Sequence, residues 1–217
     1  KTILQRYVLA VLFFSTSDAD WPWPYLSEVD VCAWNEEYKV NGGGVFCTED
    51  DETVTKLDLN SKNLTGTLPW ELVLMTDLRE INLKSNRIYG TIPSRISELS
   101  MLEIFWVWNN TLTGTLSSLL FAPAITSINL GGNRMAGPIP KGWGPLMPRL
   151  EQLDLAWNSF TGTIPPDLLV MDSLMYFSAY GNGLTGTIPS LFSPAFTWLD
   201  LGRNSMRGSI PEGWGTL

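Results

Sequence analysis

Paired carboxylates are the first residues to ask for chemistry. Asp154 and Asp200 sit in the same short motif, Leu153-Asp154-Leu155 and Leu199-Asp200-Leu201. If both motifs are strands of one sheet with a single strand between them, they stand about 9.6 Å apart. That is near the upper limit for the acid and base of an inverting glycosidase. Neither has an evident environment to raise its pKa, and aspartate there is also ordinary solvent-facing filler. No catalysis is expected of the pair. The chain has no histidine, which excludes His-based triads, His general bases and His-liganded zinc within it. Cys32 and Cys47 alone cannot close a zinc site. The run Glu49-Asp50-Asp51-Glu52 lacks the spacing by which six or more oxygens surround calcium, so it reads as a solvated turn. No metal or cofactor is expected. The net charge of −8 argues against nucleic acid or an anionic membrane as partner.

Binding is the other chemistry on offer, and aromatic residues carry it. Trp106, Trp108, Trp157, Tyr176, Tyr180 and Trp198 recur near equivalent places of a repeated pattern. Tryptophan and tyrosine dominate binding hot spots, and exposed apolar patches mark interaction sites. The alternative is mutual stacking that only stiffens a sheet.

The pattern that places them is clearest in Leu150-Glu-Gln-Leu153-Asp-Leu155-Ala-Trp-Asn158-Ser-Phe160-Thr-Gly162-Thr-Ile164-Pro165. Its second core apolar position recurs at Leu59, Leu83, Val107, Leu130, Leu155, Ala179 and Leu201, in steps of 24, 24, 23, 25, 24 and 22. Seven copies at that period mean a solenoid. Alternation in Leu-Asp-Leu makes a short strand with leucines inward, and stacked coils give a parallel sheet. An asparagine follows three residues on, at Asn86, Asn110, Asn133, Asn158, Asn182 and Asn204. Its amide both donates and accepts, so it can satisfy backbone groups where the chain leaves the strand. Thr-Gly-x-Ile-Pro then turns the chain. No coil buries its apolar side alone, so stability belongs to neighbouring pairs.

The pattern L-x-x-L-x-L-x-x-N-x-L-x-G-x-I-P resembles the plant-specific class of extracellular leucine-rich repeats, found in receptor-kinase ectodomains and polygalacturonase-inhibiting proteins. The resemblance covers residues 54 to 217. It implies an α/β solenoid, a horseshoe or superhelix of about seven repeats with its parallel sheet on the concave face, behind an N-terminal helical disulfide cap at residues 1 to 53. Cys32-Ala-Trp34 and Gly44-Val45-Phe46-Cys47 resemble the two ends of the family's C-x-W-x-G-V-x-C cap, split by an insertion. A Cys32 to Cys47 disulfide is implied, worth about 3 kcal/mol, and with it an oxidising compartment. Two buried thiols are the other reading.

Residues 1 to 20 hold an apolar run too short to span a bilayer. An amphipathic helix capping the first coil is preferred over a leftover signal-peptide core. Because the sequence does not open on Met, a signal peptide already removed is expected. Trp21-Pro22-Trp23-Pro24 reads as an irregular loop whose tryptophans pack on the cap. The sequons Asn63-Leu64-Thr65 and Asn109-Asn110-Thr111 fit a secreted glycoprotein; Asn109 lies where a glycan crowds the inner face. Trp143 and Trp214, in twin Pro-x-Gly-Trp-Gly segments, take core positions.

On the concave face the column between the core residues reads Asp58, Asn82, Trp106, Asn129, Asp154, Ser178, Asp200, and the next reads Asn60, Lys84, Trp108, Gly131, Ala156, Tyr180, Gly202. Trp108 and Tyr180 are three strands apart, about 14 Å, with only Gly131 and Ala156 between: a slot with aromatic walls. Departures occur at Lys62, in place of the first ladder asparagine, and at Leu116-Ser117, in place of Ile-Pro. No polar cap follows the seventh coil, so further repeats, a C-terminal region or a partner is expected to cover it. The chain is read as a secreted or cell-surface, non-catalytic recognition or adhesion module holding a protein, peptide or glycan on its concave aromatic face. A structural subunit of a larger extracellular or lumenal assembly is the alternative, and an inhibitor of cell-wall enzymes a third.

Overall fold

The computed structural model of the chain describes residues 2–16, 31–33, 44–48, 50 and 53–212. The Trp21 to Pro24 segment, Trp34, Glu49, Asp51, Glu52, Trp214 and the chain end expected to need a cover lie outside them.

The apolar N-terminal run is a helix, α1 (Thr2–Thr16), which lies against the first coil as a cap. Val8, Leu9 and Leu12 are buried in the core shared with the repeats. Gln5 enters the same interface with its polarity answered, since its Oε1 accepts the Val54 N–H at 3.2 Å. The helix end comes so close to the first turn that a Cβ on Gly66 would lie 1.8 Å from the Ser15 carbonyl oxygen. Only glycine allows that docking, and Gly66 also holds φ at +132°. No helix of the described residues is long and apolar enough to cross a membrane.

Among the described residues fourteen strands follow in chain order. They are β1 (Gly44–Cys47), β2 (Val54–Asp58), β3 (Thr65–Thr67), β4 (Glu80–Asn82), β5 (Arg87–Gly90), β6 (Ile104–Trp106) and β7 (Thr111–Leu112). Then come β8 (Ser127–Asn129), β9 (Ala136–Pro138), β10 (Gln152–Asp154), β11 (Ser159–Gly162), β12 (Tyr176–Ser178), β13 (Gly183–Leu184) and β14 (Trp198–Asp200). The main sheet runs β1-β2-β4-β6-β8-β10-β12-β14. From β2 onward it is parallel and in register, aligning Leu57, Ile81, Phe105, Ile128, Leu153, Phe177 and Leu199. The first six of these are buried, and Leu199 is partly so.

Two features depart from the sequence reading. The cap contributes β1, antiparallel to β2, so the first edge of the sheet is paired rather than open. Cys47 ends that strand and bonds to Cys32, with their Cα atoms 5.7 Å apart. The Thr-Gly segments, read as turns, instead pair coil to coil in two further ladders, β3-β5-β7 and β9-β11-β13. The paired residues end before, at or just past the turn glycine of each coil, and only β3 is itself a Thr-Gly-Thr stretch.

The asparagines do what their amides suggest. Asn110 Nδ2 donates to the carbonyls of Val107 at 3.0 Å and Leu83 at 2.9 Å, while its Oδ1 accepts the Ile88 N–H at 2.9 Å. Each ladder asparagine thus ties its own strand end to the preceding coil, and Asn133, Asn158, Asn182 and Asn204 repeat the scheme. At the first coil Lys62 has no such amide, and its backbone N–H is taken by Asn86 Oδ1 at 3.0 Å. Trp143 is fully buried against Phe121, and its indole N–H donates to the Ser117 carbonyl at 3.2 Å. That bond uses the position where the third repeat lacks its proline.

Candidate ligand-binding face

Immediately after each main-sheet strand the backbone turns left-handed at one fixed position. Ser61, Ser85, Asn109, Gly132, Trp157, Gly181 and Arg203 hold φ of 55, 55, 56, 62, 53, 67 and 50°. The position is imposed by the coil, not chosen by the residue, so Trp157 adopts a conformation that costs a bulky side chain about 1–2 kcal/mol. Its ring projects from the rim of the concave face and is 52% exposed.

The aromatic side chains lean toward the next coil, onto glycines. A Cβ added at Gly131 would meet the Trp108 ring at 2.9 Å; one at Gly181 would meet Trp157 at 2.9 Å, and one at Gly202 would meet Tyr180 at 2.9 Å. Trp108 therefore leans into the expected slot, but Tyr180 turns away from it. Tyr180 meets Trp157 edge to face, with centroids 5.1 Å apart and planes at 70°. The Arg203 guanidinium lies 5.5 Å and 5.8 Å from those two ring centroids, within cation–π range.

The concavity that the face encloses lies one column nearer the strand starts, with a volume of about 250 Å³. Trp106 and Tyr176 form its walls, and Lys84, Asn129, Gln152 and Asp154 add polar groups. Trp106 is fixed twice: its indole N–H donates to Ser127 Oγ at 2.8 Å, and Lys84 Nζ sits 4.4 Å from its ring centroid. Ser127 Oγ donates onward to Gln152 Oε1 at 3.2 Å. Tyr176 stacks on Trp198, with centroids 6.3 Å apart and planes within 6°, so the wall continues as an aromatic platform. Trp198 is 55% exposed and Trp108 41%.

Asp154 departs from the sequence reading. Burial raises its pKa above the ordinary carboxylate value, and the charge of Asp200 adds to the rise; the Ala156 N–H, at 2.9 Å from Oδ1, and the Asn129 side chain oppose it. Burial likewise raises the Tyr176 phenol, helped by the Asp154 charge. Sequence could not show this, because burial depends on what the neighbouring coils place beside Asp154. The first coils are different: Lys56 pairs with Glu80 at 3.0 Å and Asp58 at 3.5 Å. Asp50, the described member of the acidic run, is an exposed turn residue accepting a hydrogen bond from Thr48 Oγ1. Among the described residues no cluster of three or more potential ligands could hold a metal. Asn63 and Asn109 are both exposed, and Asn109 Nδ2 lies 3.4 Å from Ser85 Oγ, on the rim beside Trp108.

Six aromatics were named from sequence. Trp106, Tyr176 and Trp198 assemble around the cavity, Trp157 and Tyr180 form a second cluster with Arg203, and Trp108 lies alone over Gly131. Of the other residues lining the cavity, Lys84, Asn129 and Asp154 were read only as members of the concave columns, and Ser127 and Gln152 were not singled out. Their signal was present as shared columns, but columns do not show which way a side chain leans.

Comparison with known proteins gives the same architecture. The Leucine Rich Repeat family model matches residues 77–99 and 149–171. A receptor-like protein kinase, BRI1-like 3 of Arabidopsis thaliana, is 34% identical over 175 residues, covering 78% of this chain and 14% of that protein. Receptor-like protein 18 of the same plant is 31% identical over 197 residues, covering 80% and 20%. The chain thus spans a fifth or less of either relative. Among solved structures, the plant peptide hormone receptor RGFR1 in complex with RGF2 is 31% identical, with a TM-score of 0.62 over 68% of this chain and 24% of that one. The Arabidopsis HAESA ectodomain in complex with an IDA peptide hormone is 27% identical, with a TM-score of 0.67 over 70% and 26%.

Proposed function

We propose, for a chain that belongs to the plant-type extracellular leucine-rich-repeat proteins, the role of a non-catalytic recognition module that holds a segment of another protein or a peptide on its concave aromatic face. One observation carries this reading. Trp108, Trp157 and Trp198 are each about half exposed on a face whose strand backbones are already paired. Exposed indoles on a prebuilt surface are hot-spot residues without a partner. The rigid sheet lowers the cost of ordering them on binding. Two solved relatives carry peptide hormones, which supports a peptide over a bulkier ligand. The Cys32–Cys47 bridge supports an oxidising compartment, and receptor-like relatives support an extracellular one.

Lysine cross-linking with mass spectrometry in the native source tests the reading. Lys56 and Lys84 belong to concave strand positions, whereas Lys141 lies in the loop before Trp143. Links from Lys56 or Lys84 to another protein identify the partner and support the reading. Links confined to Lys141 would refute it and favour assembly through another surface.

A further inference from the structure

The cavity between Trp106 and Tyr176 has charges of opposite sign at its two ends. Lys84 reaches along the sheet and parks its ammonium on the Trp106 ring, 4.4 Å from the centroid, making no ion pair among the described residues. Asp154, at the far end, has one oxygen held by the Ala156 N–H and takes a hydrogen bond from Asn129, yet no cation pairs with it. Elsewhere on this face Lys56 is paired with two carboxylates. Two charges without an ion pair among the described residues thus line the same concavity. A half-buried carboxylate without a counter-charge is costly, and a bound cation would relieve it.

The spacing says what could answer both ends. Trp106 and Asp154 lie on β6 and β10 with β8 between, so the strand beneath the Lys84 ammonium and that of Asp154 are about 10 Å apart. At about 3.1 Å per residue and three residues per turn, a segment in the extended polyproline-II conformation covers this in three residues and presents both side chains on the same side. The volume of about 250 Å³ is below the roughly 300–1,000 Å³ of sites that enclose a whole small molecule. It suits side chains of a longer ligand lying across the coils. A glycan supplies hydroxyls and sometimes acids, but an ordinary one supplies no cation for Asp154. We infer that this cavity selects an extended peptide segment carrying an acidic residue, placed at Lys84, and a basic residue about three positions away, placed at Asp154. The inference deepens the recognition reading above and rests on it.

The test is a random dodecapeptide display library panned on the full chain and on Lys84→Glu, Lys84→Gln and Asp154→Asn. Asparagine preserves an acceptor for the Ala156 N–H, and thermal melts of all variants verify folding. The expected result is enrichment of acid–base pairs about three residues apart. Asp154→Asn should then weaken the best peptide about tenfold and abolish the basic preference. Lys84→Gln should abolish the acidic preference, and Lys84→Glu should invert it. Peptides that lose binding with Trp108→Ala or Trp198→Ala, but show no charge preference, overturn the inference and leave the concave reading standing. Peptides indifferent to those tryptophans overturn both. No enriched peptide, or binding seen only on a glycan array, also overturns the inference.

Discussion

The indole of Trp157 rests on the backbone of Gly181, one coil further along, so closely that a Cβ at 181 would lie 2.9 Å from the ring. The two residues occupy the same left-handed position of successive coils. One pays conformational strain to aim its ring, and the other is glycine because the ring lies there. Gly181→Ala meets both obstacles, since φ at 181 is +67°. A loss of about 1–2 kcal/mol from backbone strain alone is expected, together with a changed Trp157 fluorescence. Gly131→Ala, where no positive φ is involved, leaves steric contact alone, with the Trp108 ring at 2.9 Å, Asp154 Oδ1 at 3.2 Å and the Ala156 carbonyl at 3.3 Å. Urea unfolding of both variants separates the two contributions, and equal, negligible costs would contradict the close packing.

The asparagine ladder should be costly to interrupt. Asn133 accepts the Leu112 N–H and donates to the carbonyls of Val107, Leu130 and Gly131. Asn133→Ala leaves several buried backbone groups unpaired, at about 1–3 kcal/mol for each one that water cannot reach. A loss of at least about 3 kcal/mol is expected in denaturant unfolding. Substituting the exposed Asn63 by Ala is the comparison, with a change within about 0.5 kcal/mol.

Reducing the Cys32–Cys47 bridge should act locally. The loss is about 3 kcal/mol, and it falls on β1, α1 and the first coil because repeat stability passes between neighbours. Hydrogen exchange after Cys32→Ser with Cys47→Ser should show faster amides at Val45 and Leu57 while those at Leu153 and Phe177 stay protected. Uniform loosening of every coil would contradict a nearest-neighbour array.

The pH dependence of stability has a defined sign at Asp154. Its folded pKa is raised by burial above the ordinary aspartate value of 3.8, so the folded state holds the proton more tightly than the unfolded chain. Its contribution therefore favours folding at acid pH and is lost as pH rises from near 3.8 through the folded value. Asp154→Asn removes this titration. The variant's stability relative to the parent chain should increase with pH over that window and then level off. A flat difference between pH 3 and 7, measured by urea midpoints, would contradict the burial of Asp154.

Much of the fold was legible because its determinants recur. The leucine positions, the ladder asparagines and a buried Trp143 follow from one period, and a residue with the same neighbours in every coil has little freedom to differ. The antiparallel strand Gly44–Cys47 was not legible, since it occurs once and lies in an irregular cap. The Thr-Gly ladders were hidden because glycine and proline read as turns in a single coil, and only stacking makes Thr65, Thr67 and their counterparts pair. At the site, columns brought Trp106, Tyr176 and Trp198 to one face. They could not show that Tyr180 leans over Gly202 and away from Trp108. That direction is set by side-chain rotamer and by the left-handed turn after each strand, although aromatic residues followed one repeat later by glycine were visible signs of it.

The central claim is that the concave aromatic face is the recognition surface. It is tested most directly by the affinity of the cross-linked partner for the chain carrying Trp108→Ala and Trp198→Ala together. Two exposed indoles acting as hot spots contribute at least about 2 kcal/mol each, so the account predicts a loss of roughly several hundredfold or more. An unchanged affinity in a variant with a parental melting profile would contradict it.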